Sequence, residues 1–476
     1  MSEKMQGACP YQKKCGGCSF SDVPYEEQLA MKQKQVQQLL GQYGKVEPIV
    51  GMGYPFYYRN KVHAVYGQKK NGEIICGTYE AGSHRIVDIE GCLIEDKIST
   101  AIIRDIRGLL RSFKIRPYRE DGGHGLLRHV LVRRAFTTGE IMVVLVLASP
   151  ILPSKNHLIK ELRRLHPEIT TIVLNVNDKS TSMVLGEQEK VLYGKGYIVD
   201  ELLGYRFRIS SKSFYQVNPV QTKHLYRGAM ELAALTGKER VLDAYCGTGT
   251  IGMIASGDAR EVIGVELNRD AVRDAITNAK MNHVDNIRFV CADATDYITG
   301  AAAAGESFDV VLMDPPRAGS TRQFVDSVVR LAPSRVVYIS CNPQTLARDL
   351  AWFAGKYRVE AIRPYDMFPL TEHVDTVCLL SKLHEAKHHI NVKVDMDELD
   401  LTSAEAKATY KEIEEWVQEH YGFHVTNLNI AQVKQKHGII ERENYNKPKS
   451  ENSRQPGTTP EKEKAITEAL KYFKMI

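Results

Sequence analysis

Apolar residues along this chain follow two rhythms. Residues 25–44, "YEEQLAMKQKQVQQLLGQYG", set Leu29, Val36 and Leu40 on one side of a 3.6-residue turn, with Lys or Gln elsewhere. That spacing predicts an amphipathic helix. From about 46 to 210 the pattern is mostly strand-like: "NKVHAVYG", "EIICGTY" and "EIMVVLVLAS" are separated by turn signals such as "KKNGE" and "TTGE". One helical stretch, around 92–113, interrupts it. Near 215 the rhythm changes: "RVLDAYC", "EVIGVEL", "IRFVCAD", "FDVVLMDPP" and "RVVYISCNP" alternate with helical stretches, and "DTVCLLSKL" (375–383) closes the series. Such alternation predicts βαβ units and a parallel sheet. Beyond 385 a linker, an amphipathic helix ending near 421 and a second short helix over 428–439 are expected. Residues 446–464, "NKPKSENSRQPGTTPEKEK", are polar and Pro-containing, and are expected to be poorly ordered.

These rhythms divide the chain into a β-rich domain over 1–210, an α/β domain over 211–385, and a helical appendage over 386–476. A length of 476 residues suits about three domains. Hydrophobic content of 43% and charged content of 25% describe an ordinary globular protein, and a formal charge of +5 is compatible with nucleic acid without requiring it. The N-terminus lacks the apolar core of a secretory signal, and "IMVVLVLA" (141–148) is far too short to span a bilayer. A cytoplasmic protein is therefore expected, whose nine cysteines are thiols, metal ligands or catalysts, not disulfides.

"LDAYCGTGTIG" sets Gly247, Gly249 and Gly252 between a strand and a helix, where glycines let the backbone approach a ligand closely. Glu266 ends the next strand, placed to accept both hydroxyls of a ribose. By itself the glycine motif fits NAD, flavin or S-adenosylmethionine equally. Asp293 follows the third strand, where adenine edges can be met, and Asp314 ends the fourth, stiffened by Pro315 and Pro316. A rigid clamp over the pocket suits methyl transfer, which must hold a flat base close to a sulfonium methyl. Asp314, Cys341 in "SCNP" and the "TEHVD" segment (371–375) all fall at strand ends that share one crevice in a doubly wound sheet.

The chain resembles the S-adenosylmethionine-dependent RNA uracil-C5 methyltransferases, through "SFYQVNP" (213–219), "DAYCGTGT" (243–250), "DPPRAG" (314–319), "SCNPQTLARD" (340–349) and "MFPLTEHVD" (367–375), in that family's order. The resemblance implies a Rossmann-like class I methyltransferase fold. It makes Cys341 the nucleophile, Gln216, Tyr245, Thr250, Glu266, Asp293 and Asp314 cofactor-binding, and Phe214 a ring beside the flipped RNA base. Its proton-abstracting residue is usually Glu; here that position is Asp375, with Glu372 as a substitute candidate.

Cys9-x5-Cys15-x2-Cys18, with Cys92 further on, suits either zinc or a [4Fe–4S] cluster. The resemblance favours the cluster, because the branch acting on 23S ribosomal RNA has this spacing and this fourth cysteine. The implied reaction is methylation of a uridine C5 in 23S ribosomal RNA; transfer RNA is the alternative substrate, and a non-catalytic RNA-binding or folding factor the alternative class. RNA is the expected partner, with neither membrane nor DNA. Many members of that branch begin with a β-barrel RNA-binding domain, which this chain is expected to lack, beginning almost at Cys9. RNA contacts would then fall to Arg59, Lys61, Arg128, Arg133 and Arg134, or to the appendage.

Overall fold

The computed structural model describes residues 9–80, 82–120, 122–179, 183–383, 409–437, 458–473 and 475–476. The chain forms two compact units, Met1–Glu385 and Ala386–Ile476. The first opens with α1 (Gln12–Cys15) and α2 (Tyr25–Leu40). A seven-stranded sheet follows: β1 (Lys61–Gln68), β2 (Ile74–Tyr79), β3 (Ile86–Asp88), β4 (Leu127–Arg134), β5 (Ile141–Leu147), β6 (Ile169–Val176) and β7 (Gln188–Tyr193), in the order β3-β2-β1-β4-β5-β6-β7. Helices α3 (Lys97–Ser112) and α4 (Lys155–Leu165) are inserted in it, and β5 and β6 pair in parallel across α4. The sequence pattern had not marked α4: its apolar stripe is narrow, with only Leu158 and Leu162 buried.

The uninterrupted apolar run of β5 has a simple cause, since both faces of this strand are covered. Val143 and Leu145 face α3 and α4, where Ile102, Ile106, Leu110 and Leu162 meet them. Met142, Val144 and Val146 face the opposite way, into a core shared with the second sheet through Phe207, Leu225 and Val241. Among the described residues, the first unit thus packs its two seven-stranded sheets against a shared core.

A hairpin of β8 (Ile198–Leu202) and β9 (Tyr205–Ile209) leads through α5 (Pro219–Ala233) into the second sheet. Its elements are β10 (Arg240–Ala244), α6 (Thr250–Ser256), β11 (Glu261–Glu266), α7 (Arg269–Met281), β12 (Ile287–Cys291), α8 (Ala294–Ala303) and β13 (Val310–Met313). Then follow α9 (Arg322–Leu331), β14 (Arg335–Ser340), α10 (Pro343–Phe353), β15 (Tyr357–Tyr365) and β16 (Asp375–Lys382). Strand order is β12-β11-β10-β13-β14-β16-β15, parallel except for β16, which runs antiparallel to both neighbours. The order reverses between β10 and β13, so a crevice opens beyond their carboxyl ends. Strand β15 was not anticipated from its sequence; it is an edge strand with a bulge and carries Pro364. Helix α2, although it lies within 1–210, packs Val36 and Leu40 into the core behind the second sheet.

The second unit contains α11 (Tyr410–Tyr421), α12 (Asn427–Lys436) and α13 (Pro460–Tyr472) around Ile413, Val417, Val433, Ile466 and Leu470. Residues 460–464 were expected to be poorly ordered, yet they form the first turns of α13. Pro460 occupies a helix-starting position, and the Lys/Glu run is followed by the buried Ala465, Ile466, Ala469 and Leu470. The expected linker, 386–408, and residues 438–457 lie outside the described residues.

One largely buried histidine pair gives the first unit a defined acid sensitivity. His63 Nε2 lies 3.1 Å from His129 Nδ1. Burial, reinforced by Lys61, lowers His63 to about 4; burial, then His63 and Arg128, lowers His129 to about 3. Both rings are neutral when folded but take up a proton near pH 6.5 when unfolded, so their contribution is present above that pH and is lost as the pH falls towards 4. The buried Asp243, raised to about 8, acts in the opposite sense: its contribution is present below about pH 4 and is lost as the pH rises through 8. The prediction is therefore a difference: between pH 7 and 4.5 the wild type loses roughly 5 kcal/mol, about half from each ring, relative to a His63→Asn/His129→Asn variant, read from urea unfolding at each pH.

Candidate active site

The loop after β10 is built for close approach. Tyr245 (φ 64°), Gly247 (φ 56°) and Gly249 (φ 79°) adopt left-handed backbone. A Cβ on Gly249 would stand 2.7 Å from the Phe289 ring, and one on Gly252 would stand 2.7 Å from Asp243 Oδ2. Asp243 accepts the Gly252 N–H at 2.8 Å, pinning the start of α6 under the loop. Glu266, at the end of β11, accepts the N–H of Gly247 at 3.1 Å and of Asn268 at 2.7 Å. Its carboxylate is thereby oriented at the mouth of the crevice.

A cavity of about 770 Å³ fills that crevice. Gln216, Tyr245, Thr250, Glu266 and Asp314 line it, and so do Phe214, Cys341 and Asp375. Of the eight non-metal site residues anticipated beside Asp293, the structure brings all eight to one cavity. Asp293 is placed differently: it caps α8 by accepting the N–H groups of Thr295 and Asp296, and it is not among the lining residues.

Cys341 leaves the strand immediately after β14. Asn342 then caps α10 by accepting the Gln344 N–H, and Pro343 opens the helix. This strand-to-helix turn holds the thiol at the lip of the sheet. Asn342 Nδ2 also donates to the Arg317 carbonyl at 3.3 Å, tying this turn to the loop after Asp314. Burial pushes the Cys341 thiol up to about 11, with help from Asp375 and Asp314, while Arg317 works against them. Asp314 is raised to about 7 by burial. Asp375, the first residue of β16, is 3% exposed, and its Oδ1 has no hydrogen-bond partner. Burial, then Asp314, raises its carboxyl well above the usual carboxylate range; Lys32 and Arg317 oppose the shift.

The segment before Asp375 is anchored from several elements. Lys32 Nζ reaches Asp366 Oδ1 at 2.6 Å in a buried ion pair, and Tyr25 donates to Asp366 Oδ2 at 2.7 Å. Gln28 accepts the Leu370 N–H, while Asn218 donates to the Met367 carbonyl. The corner that carries Asp375 thus depends on α2, a helix more than 300 residues earlier in sequence. Glu372 differs in every respect: it is exposed, and it lines a neighbouring cleft of about 590 Å³ instead of the cavity that holds Asp375. Cys341 opens onto both.

Arg317, His373 and Lys32 had no role assigned from sequence. Arg317 and His373 sit inside the quoted motifs and line the cavity with a side-chain contact of 2.8 Å, so position within "DPPRAG" and "EHVD" was the available signal. Lys32 gave none, being one lysine among several on α2. Two anticipated RNA contacts are corrected. Arg128 is buried and held by Glu120 and by the carbonyls of Asn177 and Lys179. Arg133 is buried and donates to the carbonyls of Ser211 and Ser213, steadying the strand exit before Phe214. Both are internal fasteners. Arg59 lines the cavity, Lys61 is lowered to about 8 by burial with Arg133 and Arg59, and Arg134 pairs with Asp96.

Cys9, Cys15, Cys18 and Cys92 are free thiols. Burial pushes Cys18 up to about 11 and Cys92 to about 12; charges on Cys15 and Cys9 add to the first, and those on Glu95 and Cys18 to the second. Cys18 and Cys92 pack beside Tyr58, Ile94 and Leu370. In kind the donors suit a thiolate-bound group, but among the described residues no three Cys, His, Asp or Glu form a group that could hold a metal ion. The segment is stitched to the loop that precedes Asp375, since Phe20 N–H donates to the Leu370 carbonyl and Ser19 Oγ accepts the Glu372 N–H. Among the described residues, no helix is long and apolar enough to cross a membrane.

Comparison with known proteins gives a consistent result. A model of the tRNA (uracil-5-)-methyltransferase family matches residues 24–383. The chain is 42% identical over 384 residues to an uncharacterized RNA methyltransferase of Halalkalibacterium halodurans, covering 79% of this chain and 84% of the relative. Identity to a Clostridium acetobutylicum RNA methyltransferase, likewise uncharacterized, is 39% over 389 residues, covering 80% and 84%. Among solved structures, the Pyrococcus abyssi tRNA (uracil-54, C5)-methyltransferase in complex with S-adenosyl-L-homocysteine superposes with a TM-score of 0.64 at 30% identity, over 76% of this chain and 85% of that one.

Proposed function

The chain belongs to the tRNA (uracil-5-)-methyltransferase family, and from that premise we propose that it methylates C5 of a uridine in RNA, using S-adenosylmethionine and a temporary bond from Cys341 to the ring. The observation that carries this reading is the meeting of Cys341, Asp375 and the glycine-loop residues on one cavity. Glu266 would take the ribose hydroxyls, with Gln216, Tyr245, Thr250 and Asp314 around the rest of the cofactor and Asp293 towards the adenine. When bound, S-adenosylmethionine supplies an electrophilic methyl group on a cationic sulfur.

The protein's own part is nucleophile, base and shape. Uracil C5 is a weak nucleophile. Cys341 Sγ, as thiolate, adds to C6, and the electron pair of the C5–C6 double bond moves towards C5 and O4. Arg317 favours this thiolate against the burial that disfavours it. Once C5 carries the methyl group, the Asp375 carboxylate removes the C5 proton; the pair reforms the double bond and expels the thiolate. A carboxyl held above its usual range, with its own Oδ1 unpartnered, is matched to that proton transfer. Phe214, 68% exposed at the rim, offers a face for stacking with the extruded RNA.

The substrate we propose is 23S ribosomal RNA, supported by the four-cysteine spacing; transfer RNA is the second reading, supported by the family description and the Pyrococcus abyssi structure. Mapping 5-methyluridine in both RNAs from cells with and without the gene decides. Loss of a 23S site supports the first reading, loss confined to transfer RNA supports the second, and label in another nucleoside overturns both. The four thiols are proposed to hold a [4Fe–4S] cluster with a structural task, clamping residues 17–20 against the loop of Asp375. Anaerobically purified protein is expected to carry iron, sulfide and broad visible absorbance, all diminished in a Cys18→Ser variant; stoichiometric zinc without iron would reject the cluster.

A further inference from the structure

The loop 52–60 contributes to two separate cavities. Arg59 lines the reactive one, whereas Tyr54, Tyr57 and Asn60 line another of about 600 Å³. The segment after β9 does the same: Phe214 and Gln216 line the first, Pro219 and Val220 the second. Asn60 joins the two, its N–H donating to the Val217 carbonyl at 2.9 Å and its side chain to the Gln216 carbonyl at 3.4 Å. One wall therefore separates the two spaces, and the reaction uses only one of them.

The second space is lined by flat rings. Tyr54 and Phe136 are each 52% exposed, although large rings gain by burial. The Tyr54 centroid lies 5.4 Å from that of Phe56 and 6.4 Å from that of Tyr57. Lys97 Nζ sits 4.1 Å over the Tyr57 ring, and Arg134 and Asp96 form an ion pair in the lining. Tyr57 holds a φ of 53°, a conformation that is unfavourable for a bulky side chain and recurs at binding sites. Exposed rings, a cation beside them and donors and acceptors at the edge are the recognition chemistry of an unstacked nucleobase and its phosphate.

We propose that this cavity binds an unpaired base of the substrate RNA flanking the target uridine, stacked on Tyr54 and Phe136 with its phosphate towards Lys97. The proposal rests on the RNA reading above and adds a second subsite to it. Such a site would keep the RNA locally opened while the neighbouring uridine enters the reactive cavity, and every base offers the π-face it needs.

Two measurements on the full-length protein test it. With RNA from cells lacking the gene as methyl acceptor, a Tyr54→Leu/Phe136→Leu variant is expected to raise the KM for RNA about tenfold or more. Its kcat and KM for S-adenosylmethionine should stay within about twofold, and Tyr54→Phe/Phe136→Tyr should restore the RNA KM, which a merely structural role would not produce. Separately, single-stranded RNA carrying 2-aminopurine is expected to be quenched on binding wild type and much less on binding the leucine variant. Unchanged RNA KM and unchanged quenching would overturn the proposal and leave the cavity to a different occupant, such as a peptide. If the wild type methylates no uridine, the activity reading fails, and the quenching comparison still decides the cavity.

Discussion

Cys341→Ala is expected to lower methyl transfer to RNA by at least about 10⁴-fold, because removing a nucleophile deletes the covalent route outright. Serine should do no better, since its hydroxyl is a far poorer nucleophile than a thiolate at neutral pH. The fold should survive either change, since Cys341 is only half-buried and lies between a strand end and a helix cap. The measurement is incorporation of labelled methyl into RNA, alongside S-adenosylmethionine binding, which should remain. A second readout isolates the covalent step. Wild type should form a denaturation-resistant complex with RNA containing 5-fluorouridine, which has no removable C5 proton, and Cys341→Ala should form none. Undiminished methyl transfer by the alanine variant would remove the basis of the proposed chemistry.

The rate should also respond to pH with the sign set by the thiol. Burial and two nearby carboxylates raise Cys341 to about 11 in the free protein, so the reactive thiolate fraction increases as the pH rises. Arg317→Gln removes a cation that lowers that value, and should displace the rising limb of the kcat/KM profile further towards alkaline pH.

Asp375→Asn is expected to act later in the reaction and to leave a different trace. An amide cannot take the C5 proton, so turnover should fall by about 10²–10⁴-fold while addition and methylation still proceed. Methylated RNA should then accumulate bonded to the protein as a slow-migrating band in denaturing gels. Glu372→Gln should turn over normally, because Glu372 is exposed and lies off the cavity that contains Asp375. The opposite pair of results, a stalled adduct in Glu372→Gln and normal release in Asp375→Asn, would reassign the base. Aspartate is one methylene shorter than the glutamate the family usually places here. Its place as the first residue of β16, across from Tyr365 and next to Thr376, which pairs with Ser340, brings the backbone itself to the cavity wall. Asp375→Glu consequently separates reach from acidity: an active glutamate variant shows that the cavity has room for the longer arm.

Much of this site was readable from residue order. The glycine turn, Glu266, Asp314 and Cys341 all lie where a strand ends, and β10, β11, β13 and β14 formed where their apolar runs stood. Strand ends on one side of a parallel sheet are neighbours by topology, so a motif at each end implies a shared crevice. Less could be read where burial depends on a distant partner. Arg128 and Arg133 looked like surface cations on a strand, but carbonyls from 177, 179, 211 and 213 enclose them. Lys32 lay on a helix rich in Lys and Gln; a carboxylate at 366 makes it a buried counterion.

The order and chemistry of the side chains alone determined the kind of sheet, the residues at its carboxyl ends and the place of Cys341 among them, because periodicity and turn residues act locally. Only the tertiary structure decided that Asp375 shares the glycine-loop cavity with the thiol while Glu372 does not, which cations are spent on internal carbonyls, and that a second ring-lined space shares a wall with that cavity. Those outcomes depend on solvent exclusion and on charges brought close from positions hundreds of residues apart, and neither is encoded in any single stretch of chain.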